Sequence, residues 1–437
     1  MSELNGNEFS TLERLRKARQ ELNFESGSFA GRLPLEMNEY DLAPGQESLW
    51  FVHEAQGAGA SFNIGAAFAL DGPLDVSSLF RSVDTITRRH EPLRTCFPAT
   101  REGPKQRVMP CGPPLVQTAV KPQELDMHLQ RCLSEPFEIG DTVPVRWRLF
   151  RLAENKHVLL LAVHHLVSDG WSLSVLCNEL ADHYNAGGDD GRPDMLFRYL
   201  DYAHLAKSAT ASKEIRDQVD VLAGRLKHVP DSVLVPGQQV TRSGFSGKSV
   251  RCEIDEGCAH KLRSLAVSQG TTLYTVLLAA VGTLLMRCGG ASEMTVGSPV
   301  ADRNWPGVQK LIGCFLNTLA LPLNLSGVQS FRDTVDAAKE ATGLALACAG
   351  APYDAVLAKV RPGRAVTDPG LFRTMLIFQN TPPAPMKLDG LSVNRIDLES
   401  PGAKTDLRVG LEKPSTITVP CKSPCDQANV GDDDPSL

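Results

Sequence analysis

The sequence predicts a mixed α/β or α+β protein of two lobes, on three observations. Strand-like and helix-like periods interleave along the whole chain instead of segregating into blocks. The pattern restarts after "HVPDSVLVPGQQVTRSGFSG" (His228 to Gly247), a stretch rich in Pro, Gly and Ser. The chain also has 437 residues with 42% hydrophobic content, more than one core comfortably organises. Residues 36–227 are therefore expected to form an N-terminal lobe and residues 228–412 a C-terminal lobe. Residues 1–35 read as a polar arm with one charged helical stretch, "TLERLRKARQELN". Residues 413–437, Pro-rich and acidic with no helical period, read as an irregular tail.

The elements follow in order. "SFNIGAAFALDG" (Ser61 to Gly72) has the β-rich look of a strand ended by Asp71-Gly72-Pro73. The next segment places Val76, Leu79, Phe80, Val83 and Ile86 on one helical stripe, with Asp75 or Pro73 at its start. "VPVRWRLFRL" and "KHVLLLAVHH" predict two strands joined by the turn Ala153-Glu154-Asn155-Lys156, and Trp171 to Asn185 predicts an amphipathic helix. "AGGDDGRP" (Ala186 to Pro193) breaks the pattern, and helical sequence runs on to about Lys227. The second half predicts a strand at "KSVRCEID", helices at "AHKLRSLAVSQ" and "TLYTVLLAAVGTLLMRC", and a strand at "EMTVGSPV".

Composition narrows the function. A formal net charge of -6 gives no electrostatic footprint for nucleic acid or an anionic membrane. No run approaches the roughly 18 apolar residues of a membrane span. "MSELNGNEFSTLERLRKARQE" lacks the apolar core of a secretory signal, so a cytoplasmic protein is expected. Cys177, Cys288, Cys314 and Cys348 sit in apolar periodic segments and are expected as small buried hydrophobes. Cys421 and Cys425 lie close together without a second ligand pair, so no zinc site is expected.

The chemistry concentrates in "LAVHHLVSDGWS" (Leu161 to Ser172). Side chains alternate along a strand, so His164 and His165 should point to opposite faces and take unequal roles. That geometry argues against both chelating one metal ion, and no third ligand recurs at metal spacing. A neutral imidazole suits general-base work or positioning of a nucleophile's proton. Gly170 permits close backbone approach, and free N–H groups at a helix start can stabilise an oxyanion. Asp169 has two readings: helix N-cap, or buried carboxylate in need of a cation. Chance alone would produce H-H-x-x-x-D-G in a chain of this length on the order of one time in a thousand.

"HHLVSDGWS" resembles the active-site motif of nonribosomal peptide synthetase condensation domains, relatives of chloramphenicol acetyltransferase. Four further blocks fall in the family's order. "LAPGQESLWF" (Leu42 to Phe51) has Gln46, Leu49 and Trp50 in place. "RRHEPLRTCF" (Arg88 to Phe97), "YLDYA" (Tyr199 to Ala203) and "IGCFLNTLALPL" (Ile312 to Leu323) are similar to the others. The resemblance covers about Tyr40 to Leu407. It implies two chloramphenicol-acetyltransferase-like lobes in a V-shaped pseudo-dimer, with the active site in a tunnel between them.

The resemblance also implies roles. His165 would be catalytic and His164 packed and structural. Asp169 would pair with Arg303 of "GSPVADRNW" rather than act as a base. Gly170 would keep its N–H near the reacting carbonyl, and Trp171, Ser172 and Asn317 would line the tunnel. The implied reaction joins a carrier-bound acyl or peptidyl thioester to the amine of a carrier-bound aminoacyl group. The partners would be donor and acceptor carrier proteins, whose phosphopantetheine presents the substrates. No directly bound cofactor and no metal are expected, and a monomer is. "CGGAS" (Cys288 to Ser292) superficially resembles a carrier attachment site, but the flanking Asp-x-Phe-Phe and Leu are missing.

The chain departs from the family at "AGAPYDAVL" (Ala349 to Leu357), which lacks the usual Phe-Glu, and after "KTDLRVGLE" (Lys404 to Glu412), where the family's closing strand and helix are expected to be missing. Two other functions compete: a stand-alone acyltransferase with a free amine or alcohol acceptor, and an inactive carrier-protein-binding module.

Overall fold

The computed structural model describes residues 39–421, except 58, 194, 230–247, 304, 306, 364–369, 380–385, 400, 403–404 and 413–415. The expected N-terminal arm, most of the expected boundary segment and residues 422–437, with Cys425, lie outside the described residues.

The first half contains strands β1 (Tyr40–Asp41), β2 (Asn63–Asp71), β3 (Thr95–Cys96), β4 (Ala99–Thr100), β5 (Gly103–Val108), β6 (Leu115–Ala119), β7 (Val145–Ala153) and β8 (Lys156–His164). Its helices are α1 (Pro44–Gln56), α2 (Val76–Arg89), α3 (Leu125–Ser134), α4 (Gly170–Asn185), α5 (Tyr199–Ala209) and α6 (Lys213–Leu226). β7 and β8 form the expected hairpin, with Ala153 opposite Lys156.

β8 is central, between β2 and β7. That position explains its unbroken apolar run, because helices cover both faces. Leu159, Leu161 and Val163 pack with Leu79 and Ile86 of α2 and Leu176 and Leu180 of α4. Val158 and Leu160, on the opposite face, pack with Leu129 of α3 and with Phe150. Asp75 caps α2 by accepting from the Ser78 N–H at 3.0 Å. Phe80 departs from the expected stripe and is 37% exposed. The buried arc is centred on Leu79 and Ile86 and extends over Ser78 and Ser82, which leaves Phe80 at its rim.

The second half contains β9 (Lys248–Glu253), α7 (Glu256–Ser268), α8 (Leu273–Gly289), β10 (Glu293–Ala301), β11 (Leu316–Asn324), α9 (Phe331–Ala347), α10 (Tyr353–Val360), β12 (Thr374–Gln379), β13 (Ser392–Ile396), β14 (Leu407–Glu412) and β15 (Thr416–Cys421). A six-stranded sheet runs β11-β10-β12-β14-β15-β9. α8 and α9 bury Leu278, Val281, Leu285, Val335 and Ala338 against its Val296, Leu321 and Leu376. Thr272 caps α8 through the Thr275 N–H, and Gly290, at φ 75°, ends it in a left-handed residue.

Four expectations need correction. α6 belongs with the second half, because Ile215, Val219 and Leu222 pack with Cys348, Val356, Leu357 and Leu371. β13 crosses the other way and pairs antiparallel with β2, so the first sheet reads β13-β2-β8-β7-β6. Met386 and Leu388 accompany it into the first core. Residues 416–421 are not irregular: β15 pairs with β14 on one side and β9 on the other. "TITV" carries the β-branched pattern of a strand, masked in the sequence by the prolines around it. Cys288 is exposed, at the end of α8, whereas Cys177, Cys314 and Cys348 are buried. Among the described residues no single helix is long and apolar enough to cross a membrane.

β15 is the strand through which β9 joins the sheet. Truncation after Glu412 should lower the melting temperature by at least about 5 °C or abolish soluble expression. A truncated chain that melts with the full chain would contradict this pairing.

Candidate active site

β8 delivers the two histidines to a tight turn. His164 ends the strand, fully buried, and its Nδ1 accepts from the Leu166 N–H at 3.1 Å. The Val167 N–H donates to the His164 carbonyl at 3.0 Å and closes the turn. His165 is partly buried and begins the turn; its N–H donates to the Phe62 carbonyl, next to β2, at 2.9 Å. The ring Nδ1 lies 3.1 Å from the Ser168 carbonyl oxygen. A carbonyl only accepts, so Nδ1 carries the proton and Nε2 is the basic nitrogen of the neutral ring.

Asp169 satisfies both of its readings at once. It precedes α4 in an extended conformation (φ −126°, ψ −179°), and its Oδ1 accepts from the Ser172 N–H at 2.7 Å as an N-cap. The same Oδ1 accepts from Arg303 Nη2 at 2.9 Å, and Oδ2 from the Phe315 N–H at 3.3 Å. The carboxylate is 1% exposed. A charge so placed is tolerable only when paired and hydrogen-bonded, and three donors from two halves of the chain provide this.

Arg303, after β10, is held through its two terminal nitrogens, while its buried Nε has no hydrogen-bond partner among the described residues. Nη1 donates to the Val308 and Leu311 carbonyls at 2.9 and 3.0 Å, and Nη2 also reaches Ser172 Oγ at 2.6 Å. The guanidinium stacks 3.9 Å from the Phe315 ring centroid and lies 5.8 Å from that of Trp171. Trp171 is 39% exposed and donates from Nε1 to the Gln309 carbonyl.

Ser172, expected only as a lining residue, is a joint of the seam. Its Oγ donates to the Gly313 carbonyl at 2.8 Å and accepts from the Gly313 N–H at 3.0 Å. Gly313 must be glycine here, since a Cβ would lie 2.0 Å from Tyr199 Cδ2. The Tyr199 hydroxyl donates to the Cys314 carbonyl at 2.7 Å, and burial pushes its pKa well up. The blocks around Asp169, Tyr199, Arg303 and Gly313, dispersed in sequence, thus meet at one place.

Asn317, expected as a lining residue, is held by its own hydrogen bonds. Its Nδ2 donates to the Ala349 and Ala351 carbonyls at 3.0 and 2.9 Å, so the amide secures the loop before α10. That loop lies within the atypical "AGAPYDAVL". Gln46 is a contributor to which the sequence assigns no role: fully buried, it donates from Nε2 to the Leu166 carbonyl at 2.8 Å. Its place in the first block was the available signal. Among the described residues, His183, Asp189 and Asp190 could together offer metal ligands. Arg192 already ion-pairs with Asp190 at 2.6 Å and supplies positive charge there.

Comparison with known proteins matches residues 36–409 to the Condensation domain family model. Surfactin synthase subunit 1 of Bacillus subtilis is 31% identical over 389 residues, covering 88% of this chain and 11% of that protein. Tyrocidine synthase 3 of Brevibacillus parabrevis is 30% identical over 387 residues, covering 87% and 6% respectively. The chain spans between 5% and 16% of the length of the curated relatives it matches. Among solved structures, the X-domain from teicoplanin biosynthesis superposes with a TM-score of 0.81 at 20% identity, covering 90% of this chain and 92% of that one. The first condensation domain of the CDA synthetase gives 0.72 at 22% identity, covering 87% and 90%. With its sheets and helices laid out as in those neighbours, the chain belongs to the condensation domain family of nonribosomal peptide synthetases.

Proposed function

We propose that this chain forms an amide bond between a carrier-bound acyl or peptidyl thioester and the amine of a carrier-bound aminoacyl acceptor. Amide formation is the general reaction of the family. The observation that carries the reading here is the bond from His165 Nδ1 to the Ser168 carbonyl, which makes Nε2 the basic nitrogen of this half-buried side chain.

The amine nitrogen attacks the thioester carbonyl carbon; a C–N bond forms and the C–S bond breaks. The proton lost by the amine passes to His165 Nε2 and leaves with the thiolate, giving an amide and a free thiol. In the same step His165 orients the attacking lone pair. The N–H of Gly170, at the start of α4, is the donor proposed for the carbonyl oxygen as it gains charge. Asp169 and Arg303 neutralise one another and exchange no proton with substrate. Much of the acceleration then comes from holding two tethered reactants together. Carrier proteins bring both, each on a phosphopantetheine arm, to the junction of the lobes.

Two substitutions separate these roles. His165→Ala should remain folded and lose at least about a hundredfold in amide formation, assayed by mass spectrometry with acyl-loaded and aminoacyl-loaded carriers. Product formation near the wild-type rate would remove His165 from the mechanism. Asp169→Ala should fail as soluble protein, because stranding a buried arginine costs about 3–5 kcal/mol out of a total stability of about 5–15 kcal/mol. Soluble Asp169→Ala protein with an unchanged melting temperature would refute the buried pair. An assay that offers free amines or alcohols beside the carrier-bound acceptor distinguishes a stand-alone acyltransferase.

A further inference from the structure

Two side chains on one face of α1 reach the turn that carries His165. Gln46 Nε2 holds the Leu166 carbonyl at 2.8 Å, while its Oε1 accepts from the Ala43 N–H at 3.0 Å. Seven residues on, two helical turns along the same face, His53 packs against the His164 ring. The two imidazoles meet edge to face, with centroids 5.0 Å apart and planes at 84°. Leu166 and His164 are the residues on either side of His165.

We propose that this Gln46–His53 face of α1 is a positioning clamp for His165, gripping one neighbour by its carbonyl and the other by its ring. The proposal rests on the condensation reading above for its link to rate. Its structural part stands on the turn alone.

The His164 ring has one useful orientation, since Nδ1 must accept the buried Leu166 N–H. A two-fold flip would put carbon where the acceptor stands and leave that donor unpaired. Contacts from His53 and from Phe62, whose ring centroid is 6.0 Å away, resist such a flip. His53 meets His164 through its ring face and edge, and its buried Nδ1 has no hydrogen-bond partner among the described residues. Burial lowers the pKa of His53, against the nearby Glu54 and Glu138 carboxylates, which raise it. An uncharged neighbour suits a buried neutral imidazole. Misplacing a catalytic group by a fraction of an ångström is enough to slow a reaction while leaving the fold intact.

The test uses two variants of the full chain, His53→Leu, which keeps bulk without an aromatic face, and His53→Phe, which keeps the ring. With carrier-bound substrates, His53→Leu should lower kcat about tenfold at unchanged KM, and His53→Phe should restore it to within about twofold. Histidine-selective 15N labelling reads the same geometry without activity. The ring nitrogen resonances of both His164 and His165 should move in His53→Leu and return in His53→Phe. Unmoved resonances in His53→Leu would overturn the clamp, as would a Phe variant as impaired as the Leu variant. Moved resonances in a protein that forms no amide even as wild type would uphold the clamp and sink the condensation reading instead.

Discussion

The structure depends on how one buried carboxylate is neutralised. Asp169 sits where the first half of the chain turns from β8 into α4, and it accepts from Ser172 on its own side and from Arg303 and Phe315 on the other. Removing a carboxylate and a guanidinium from water is costly, and here the cost is offset by hydrogen bonds to both carboxylate oxygens and from both terminal guanidinium nitrogens. The helix start, the end of β10 and the strand entry at Phe315 must therefore assemble together. Ser172 extends the same constraint, since its hydroxyl serves Arg303 and both backbone groups of Gly313. The turn from His165 to Ser168 lies immediately before this knot, and the Ser168 carbonyl that meets the His165 ring belongs to the residue next to Asp169.

The lobes are joined by more than the ion pair. α6, from the first half of the sequence, packs in a core of the second, and β13, from the second half, extends the first sheet. Such an exchange makes independent folding of either half costly, because each would expose apolar surface that the other covers. It also surrounds the site with packed elements, since β8 and α4 are anchored in the first core while Phe315 packs with Tyr199 and Tyr202 of α5 and with Trp305, and Arg303 is held on the Val308 and Leu311 carbonyls. The proposed reaction between two tethered substrates would gain from a site that is already organised when they arrive.

Much of this was legible in the sequence because it was local. The run at Val158 to Val163, the turn at Glu154-Asn155 and the cap at Asp75 each follow from periodicity or turn chemistry over a few residues. The motif at His164 to Gly170 was legible as chemistry, and the need of Asp169 for a cation was foreseeable from burial; the resemblance supplied Arg303. What escaped was set by distance along the chain. Nothing near Asn317 signals that the Ala349 and Ala351 carbonyls await it, and nothing near Ser172 signals Gly313. β13 is a short strand whose partner lies more than 300 residues earlier, and β15 is hidden by its prolines. The affiliation of α6 depends on which core its apolar face meets, which periodicity does not encode.

Coupling across the seam is measured most directly by a double-mutant cycle between Asp169 and Arg303. Asp169→Asn, Arg303→Met and the double variant would be compared with wild type by urea unfolding. If the two side chains neutralise one another, either single change leaves the other charge buried and uncompensated. The double variant should then be more stable than the sum of the single losses predicts, by at least about 2 kcal/mol. Additive losses, with a coupling energy near zero, would contradict the claim that this pair holds the lobes and the site together.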